Sequence, residues 1–229
     1  MNLSVIIPAA GQGKRMKTET NKQFLMLEDK EILAHTINKF EQEVTVNEII
    51  VVCRAEEVDY CKNNIVDNDS LDKSLKVVVG GKTRQESVYN GLQEVDSTSD
   101  FVLIHDGARP FVKTQLIKKV ITKLKKYDAV VVGVPVKDTI KVVNTDSMII
   151  NTPDRSKLVA IQTPQVFRKD LISDAYQRAY DDGFIGTDSS SLVERIDKKV
   201  KFVKGSYENI KITTPEDLEF GKRILAGRK

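Results

Sequence analysis

The stretch Leu3-Ser4-Val5-Ile6-Ile7-Pro8-Ala9-Ala10-Gly11-Gln12-Gly13-Lys14-Arg15-Met16 decides the fold class. Its first six residues form an apolar, β-branched run of the kind that is buried on both faces of a parallel sheet. Small residues and glycines follow directly, and such a turn lets backbone N–H groups close around phosphate oxygens because no side chain blocks the approach. An ordinary strand-to-helix turn would use the same glycines, so the stretch alone leaves both interpretations open.

The rest of the chain repeats this alternation of strand and helix. Apolar runs predict four further core strands at residues 48–53, 75–79, 100–105 and 128–134. Apolar residues spaced three or four apart predict helices at 32–40, 84–95 and 115–124, followed by helices at 169–180, 188–195 and 215–226 and a strand at 200–204. The pattern predicts an α/β fold with a Rossmann-like, mostly parallel sheet flanked by helices.

The alternation breaks between the fifth core strand and the helix at 169–180. Two extended segments, 140–143 and 148–150, flank a polar turn at 144–146, which is typical of a β-hairpin. We therefore predict a single domain over residues 1–229, with a β-hairpin arm inserted at about 136–161.

Composition narrows the class of protein. The 36 basic and 33 acidic side chains leave a formal charge of only +3. This is not the strong positive excess that is typical of a nucleic-acid-binding protein. Two cysteines, Cys53 and Cys61, can build neither a disulfide framework nor a metal site, and they favour a reducing cytoplasm. The apolar run at residues 3–8 is far shorter than a signal sequence or a membrane span, so we expect no membrane association.

The glycine turn excludes two familiar nucleotide sites. It lacks the Gly-Lys-Ser/Thr ending of a P-loop, and Met16 stands where a dinucleotide fingerprint has its third glycine, which argues against a nicotinamide-dependent oxidoreductase. What remains is Gly-x-Gly-x-Arg followed by Asn21-Lys22-Gln23. Arg15 and Lys22 could clamp a triphosphate, although both would also be unremarkable as surface cations.

Polar residues follow the third and fourth predicted strands at the carboxyl edge, where open α/β sheets bind ligands. Gly80-Gly81 can bring main-chain groups up to a base. Asp106 can hold Mg²⁺ while Arg109 pairs with a phosphate, and a purely structural Asp–Arg pair is the alternative. We assign no catalytic role to His105 or His35.

Seven motifs occur in register along nearly the whole chain. They are A-A-G-Q-G-K-R-M with K-Q-F (9–16, 22–24), G-G-K-T-R-Q-E-S-V (80–88), H-D-G-A-R-P-F (105–111), P-V-K-D-T (135–139), Q-T-P-Q (162–165), G-T-D (186–188) and N-I-K-I-T (209–213). Together they resemble the methylerythritol-phosphate cytidylyltransferase family of nucleotidyltransferases.

The resemblance implies a role for each matching residue. It implies that CTP is bound by Pro8, Ala9, Ala10, Gly11, Gly13, Gly81, Arg84 and Ser87. It implies catalytic roles for Arg15, Lys22 and Lys211, and binding of the acceptor polyol phosphate by Asp106, Arg109, Thr139, Arg155, Thr163 and Thr187, with Mg²⁺ on Asp106. It also implies a homodimer in which the arm carries Thr139 and Arg155 into the partner's site.

Plainer interpretations stay open for several of these residues. Lys211 would also fit the solvated face of a strand, Thr163 and Thr187 would fit caps or strand ends, and polar residues of an arm are usually exposed decoration. Many relatives carry Asp where this chain has Lys82, so we transfer no contact to that position.

The expected reaction is transfer of CMP from CTP to 2-C-methyl-D-erythritol 4-phosphate with release of pyrophosphate. Ribitol 5-phosphate is the alternative acceptor, and the P-A-A-G start and the P-V-K-D-T segment favour the first. A non-catalytic CTP-binding module is a third possibility, since fold alone does not exclude it. The four charges of Arg15, Lys22, Asp106 and Lys211 together argue against that module.

Overall fold

The computed structural model describes residues 1–11, 16, 21–65 and 73–228. Its strands, in chain order, are β1 Leu3–Pro8, β2 Met26–Leu27, β3 Lys30–Glu31, β4 Val46–Cys53, β5 Ser74–Val79, β6 Phe101–Ile104, β7 Ala129–Pro135, β8 Val142–Val143, β9 Ile149–Asn151, β10 Val159–Arg168 and β11 Lys201–Lys204. Seven of them form the central sheet, in the order β11-β7-β10-β6-β1-β4-β5. All neighbours in it are parallel except β10, which is antiparallel to both β6 and β7. The predicted Rossmann-like, mostly parallel sheet is confirmed.

Helices cover both faces of this sheet. They are α1 Ile32–Glu41, the short α2 Val58–Tyr60, α3 Arg84–Gln93, α4 Thr114–Lys123, α5 Lys169–Asp181, α6 Ser189–Arg195 and α7 Pro215–Ala226. Apolar residues of α1 and α4, among them Ile37 and Val120, pack with one face of the strands. Val88 of α3, Tyr176 of α5 and Leu192 of α6 share the core on the opposite face. Among the described residues, no helix combines the length and apolar composition needed to cross a bilayer.

Among the seven strands of the central sheet, β10 is the one that the sequence interpretation missed. It lies in the middle of the sheet, yet its central residues Gln162-Thr163-Pro164-Gln165 are polar and include a proline. Its register against β7 shifts between Gln162 and Gln165, so the ladder is interrupted where the polar side chains stand. The strand does not read as an apolar run for this reason, and the shift allows a proline in a central strand.

The predicted arm is shorter than expected. β8 and β9 form the hairpin, but residues 159–161 already pair with β7 as the start of β10, so the arm spans 136–158. Asn144 closes the hairpin turn, since its side-chain oxygen accepts the N–H groups of Asp146 and Met148. The arm leaves the sheet from the carboxyl end of β7.

Lys211 is not on a strand, contrary to the prediction. Residues 209–213 run without ladder pairing between β11 and α7, and the side chain of Asn209 holds them by donating to the carbonyl oxygen of Thr163 at 2.8 Å. Ile212 is fully buried next to α7, which begins at Pro215 after the N-cap Thr214, as its sequence predicted.

Candidate functional site

Two cavities lie side by side at the carboxyl edge of the sheet, with volumes of about 480 and 450 Å³. Arg84, Asp106 and Lys211 line both of them. Arg84 opens α3, Asp106 follows β6, and Lys211 belongs to the segment before α7. Chain segments far apart in sequence therefore meet where the two cavities join.

The first cavity lies beside the glycine turn. Its lining residues are Pro8, Ala10, Gly11, Lys22, Gln23, Arg54, Gly81, Lys82, Thr83, Arg84, Ser87, Asp106, Ala108 and Lys211. Lys22 is only 7% exposed, so its charge faces this space and little bulk solvent. With several cations and one carboxylate, the wall suits a strongly anionic ligand.

The Gly80-Gly81 pair is required by close packing. A Cβ on Gly80 would lie 2.8 Å from both the Cβ of Ala10 and the Oγ of Ser87, and one on Gly81 would meet Glu86. Thr83 caps α3 by accepting the N–H of Glu86. The glycines let the start of α3 approach Ala10 closely, and Gly81 lines the first cavity.

Asp106 is the charge centre of the site. Its Oδ1 accepts the Nε–H of Arg84 at 3.0 Å, its Oδ2 accepts from Nζ of Lys211 at 2.8 Å, and Nε of Arg109 lies 3.8 Å away. Burial alone would raise the pKa of Asp106, but the charges of Arg84, Lys211 and Arg109 hold that pKa well below its usual range. The carboxylate is therefore ionised at any physiological pH and orients three cations.

A magnesium ion held by Asp106 does not fit this arrangement. Both carboxylate oxygens already accept hydrogen bonds from cations, and a divalent ion beside them would be repelled by Arg84 and Lys211. Within the described part of the chain, no group of three His, Cys, Asp or Glu residues is placed to bind a metal ion. The described residues of the two cavities therefore offer too few free oxygen ligands for Mg²⁺.

His105 and Thr163 hold the turn that carries Asp106. Nε2 of His105 lies 3.0 Å from the carbonyl oxygen of Arg109, so this nitrogen carries the proton. Burial lowers the pKa of His105 to about 4, which leaves its Nδ1 as an acceptor for the Thr163 hydroxyl at 3.2 Å. The same hydroxyl oxygen accepts the N–H of Asp106 at 3.0 Å. Thr163 therefore positions Asp106, besides any contact with a ligand.

We expect this buried neutral histidine to make the fold acid-sensitive. Unfolded His105 takes up a proton near pH 6.5, whereas folded His105 resists protonation to about pH 4. Its stabilising effect is complete above pH 6.5 and is lost as the pH falls to 4, by roughly 3 kcal/mol at most. Asp106 adds its own loss only below the pH at which an unfolded aspartate protonates, about 4.

Chemical unfolding at several pH values measures this sensitivity. The wild-type free energy of unfolding should rise between pH 4 and 6.5, and His105→Gln should flatten that rise. Equal slopes for both proteins would show that His105 is not its source.

The second cavity lies between β10 and the start of α6. Its lining residues are Arg84, Asp106, Arg109, Ile161, Gln162, Thr163, Gln165, Thr187, Asp188, Ser190, Ser191, Glu194 and Lys211. Arg109 is held over it because one guanidinium nitrogen donates to the carbonyl oxygen of Asn209 at 2.7 Å. Asp188 caps α6 by accepting the N–H of Ser191 at 2.9 Å. This cavity combines cations, which could hold the phosphate of a phosphorylated polyol, with a polar wall that also includes the carboxylates of Asp188 and Glu194.

The comparisons with known proteins agree with this geometry. Residues 3–227 match the family model described as 2-C-methyl-D-erythritol 4-phosphate cytidylyltransferase. The chain belongs to this family. A cytidylyltransferase of that name from Clostridioides difficile is 52% identical, over 97% of this chain and 93% of the relative. One from Caldanaerobacter subterraneus is 50% identical, over 98% of this chain and 99% of the relative.

Solved structures give the same result. The 4-diphosphocytidyl-2C-methyl-D-erythritol synthase of Anaerococcus prevotii has a TM-score of 0.87 at 38% identity, covering 98% of this chain and 96% of that one. The Thermus thermophilus 2-C-methyl-D-erythritol 4-phosphate cytidylyltransferase has a TM-score of 0.80 at 28% identity, covering 99% and 100%. This cytidylyltransferase therefore transfers CMP from CTP to 2-C-methyl-D-erythritol 4-phosphate, and the predicted reaction is confirmed.

Most of the predicted site residues come together in this cytidylyltransferase. Pro8, Ala10, Gly11, Lys22, Gly81, Arg84, Ser87, Asp106 and Lys211 line the first cavity, and Arg109, Thr163 and Thr187 join the second. Ala9 is fully buried behind the wall, where its N–H donates to Val52 and its carbonyl oxygen accepts from Asn21. Arg15 and Gly13 lie outside the described residues. Their roles stay predictions.

Thr139 and Arg155 line neither cavity of their own chain. Both are exposed on the arm, and Arg155 is held there by donating to the carbonyl oxygen of Lys137 at 2.6 Å. Their predicted role across a dimer interface stays a prediction.

Arg54, Gln23 and Gln165 are among the cavity residues of this cytidylyltransferase that the sequence interpretation overlooked. Arg54 follows β4 at the carboxyl edge, a position that could have marked it. Gln23 and Gln165 stand inside quoted motifs, but nothing in the sequence says which way their side chains point.

Proposed function

We propose that the two cavities hold CTP and the acceptor at the same time, and that the acceptor phosphate displaces pyrophosphate directly. CTP would occupy the first cavity and the polyol phosphate the second. The shared wall of Arg84, Asp106 and Lys211 is the observation that carries this proposal, because it is the point where two bound phosphate groups could meet. An oxygen of the acceptor phosphate attacks the α-phosphorus of CTP, and the bond to the β-phosphate oxygen breaks.

No general base is needed for this step. A phosphate monoester has a second pKa of about 6, so it is already an anionic nucleophile near neutral pH. Asp106 is tied to Arg84 and Lys211, and the proton of His105 is tied to the Arg109 carbonyl. The protein instead supplies positive charge, from Lys22 and Lys211, for the extra charge on the pentavalent α-phosphoryl group. Arg15 is predicted to act with them.

The divalent cation is best explained as an ion that binds together with CTP. Mg²⁺ is commonly held by substrate phosphates, and the ligands that Asp106 would offer are already engaged. We propose that the triphosphate oxygens provide its main ligands and that catalysis depends on it. Calorimetric titration of Mg²⁺ into the protein without CTP should then show no binding, whereas saturable binding would restore Asp106 as a ligand.

The arm supports a homodimer. It exposes a row of large apolar side chains that its own chain leaves uncovered: Ile140 39%, Val142 40%, Val143 54%, Met148 64%, Ile149 61% and Ile150 63%. Such a patch on a projecting hairpin is typical of a protein interface. We propose that the arm embraces a second copy and brings Thr139 and Arg155 to the partner's acceptor cavity.

We also propose that the enzyme works in the cytoplasm. Cys53 and Cys61 are buried free thiols, and free thiols persist best in a reducing compartment. Recovery of the activity outside the cytoplasmic fraction of lysed cells would contradict this.

Direct displacement can be tested by isotope exchange. With labelled pyrophosphate, CTP and Mg²⁺ but no acceptor, we expect no label to enter CTP, because no cytidylyl-enzyme forms. Exchange should appear once the cytidylylated polyol product is added with pyrophosphate. Rapid exchange without acceptor would demonstrate a covalent intermediate and refute the proposal.

A further inference from the structure

The second cavity contains a polar atom that the reaction scheme has not used. Gln165 is 1% exposed, and its Oε1 is buried without a hydrogen-bond partner. A buried carbonyl oxygen without a donor has lost its hydrogen bonds to water and gained none in return, so native proteins rarely leave one. An unpaired acceptor on the wall of a binding cavity is instead typical of a group that pairs with the ligand.

The orientation of this amide is fixed by its other end. Nε2 of Gln165 donates to Oδ2 of Asp188 at 2.6 Å. A carboxylate accepts hydrogen bonds and cannot donate one, so the amide cannot flip to place its oxygen there. Asp188 is held in turn, because it accepts the N–H of Ser191 and the hydroxyl of Ser190. The free Oε1 therefore has a fixed direction.

The position of Gln165 relates it to the reacting groups. On β10 it lies opposite Ile104, the last residue of β6, two residues before Asp106. Thr163, two residues earlier on β10, is the one that bonds to Asp106. Gln165 lines the same cavity as Thr163 and Arg109, so it lies on the wall beside the cations that would bind the acceptor phosphate.

Several other acceptor side chains of this wall are engaged, whereas Glu194 lines it as an exposed carboxylate. The oxygens of Asp106 accept from Arg84 and Lys211, Oε1 of Gln162 accepts from Asn209, and Asp188 accepts from three groups. At this cavity, the buried side-chain atoms found without a hydrogen bond in the described residues are one donor, Nε of Arg109, and one acceptor, Oε1 of Gln165.

We propose that Gln165 is a specificity-determining residue whose Oε1 accepts a hydrogen bond from a hydroxyl of the polyol. An amide oxygen cannot pair with an anionic phosphate, whereas it pairs well with an O–H group. The acceptor retains hydroxyls at C1, C2 and C3 beside its C4 phosphate, and these are the donors that reach the second cavity. This inference rests on the assignment of the acceptor to that cavity.

The test combines a Gln165→Met variant with three acceptors, each lacking one hydroxyl. In the wild type, loss of the contacting hydroxyl should lower kcat/KM for the acceptor by about 10–100-fold, which corresponds to ~1.4–2.8 kcal/mol. Gln165→Met should lower kcat/KM for the intact acceptor to a similar extent and should leave KM for CTP unchanged. For the variant, removal of that hydroxyl should lower kcat/KM for the acceptor by less than threefold.

Gln162→Met is the matched control. It removes the same side chain from the same strand and cavity, but both amide atoms of Gln162 are paired within the protein. It should therefore keep the wild-type ratio between intact and deoxygenated acceptors.

Two results would overturn the inference. One is an equal sensitivity of wild type and Gln165→Met to every missing hydroxyl, which would mean that Gln165 acts only by supporting Asp188. The other result needs only the wild type. If its kcat/KM falls by less than threefold with every deoxygenated acceptor, no polyol hydroxyl makes this contact. Absence of turnover with the intact acceptor would contradict the function itself, so the two failures are distinguishable.

Discussion

Lys22→Met should lower kcat by about 10²–10³-fold while the protein remains folded, as expected for loss of a group that stabilises transition-state charge. Lys22 is buried at the first cavity, where a charge acts through a medium that screens it less than water does. Methionine keeps the length of the side chain and removes the charge. Steady-state kinetics with CTP and the acceptor, together with thermal unfolding, measure both parts of the prediction.

Lys211→Met should lower kcat by a similar factor. Unlike Lys22→Met, it should also lower the free energy of unfolding. Its ammonium lies 2.8 Å from Oδ2 of Asp106, so its removal leaves a buried carboxylate with one cation fewer. Lys118→Met, on the exposed face of α4, is the control for a simple loss of charge and should be unchanged in both assays. Near wild-type turnover of Lys22→Met would remove that residue from the mechanism.

Two inactive variants should restore activity when they are combined in one dimer. If Arg155 binds the acceptor phosphate as proposed, Arg155→Ala should lower kcat/KM for the acceptor by about 10²-fold or more, because it removes that charged partner. Lys211→Met disables the other side of the same site. If Arg155 acts across the interface, a mixed dimer contains one site with both residues intact and one site with neither.

Coexpression of the two variant chains with different tags, followed by tandem purification, isolates that mixed dimer. It should have about half of the wild-type activity per dimer, because one of two symmetric sites is complete. If Arg155 served its own chain, both sites of the mixed dimer would lack one residue and no activity would return. A monomer in light scattering would equally contradict the shared site.

The sequence predicted the parts of the fold that depend on local pattern. Strands β1, β4, β5, β6 and β7 are apolar runs, and the helices between them have clear three- to four-residue spacing. β10 could not be predicted in this way, because its polar centre faces the site. The antiparallel insertion of β10 between β6 and β7 depends on long-range pairing, which no local pattern predicts.

The residues of the site likewise fall into those that sequence motifs predict and those that only the structure shows. Asp106 and Lys211 were predicted from motifs, and the structure brings them to 2.8 Å across 105 residues. Gln165 was not predicted, because its proposed role depends on which of its amide atoms has a hydrogen-bond partner within the protein. Motifs identify residue types at strand ends, whereas the hydrogen-bond partners of a side chain are visible only in three dimensions.

The identity of the acceptor is the property of this enzyme to measure first. Pyrophosphate release from CTP with Mg²⁺ should be measured in parallel with 2-C-methyl-D-erythritol 4-phosphate and with ribitol 5-phosphate. We expect turnover with the first and little or none with the second. Faster turnover with ribitol 5-phosphate, or silence with both acceptors, would contradict this expectation.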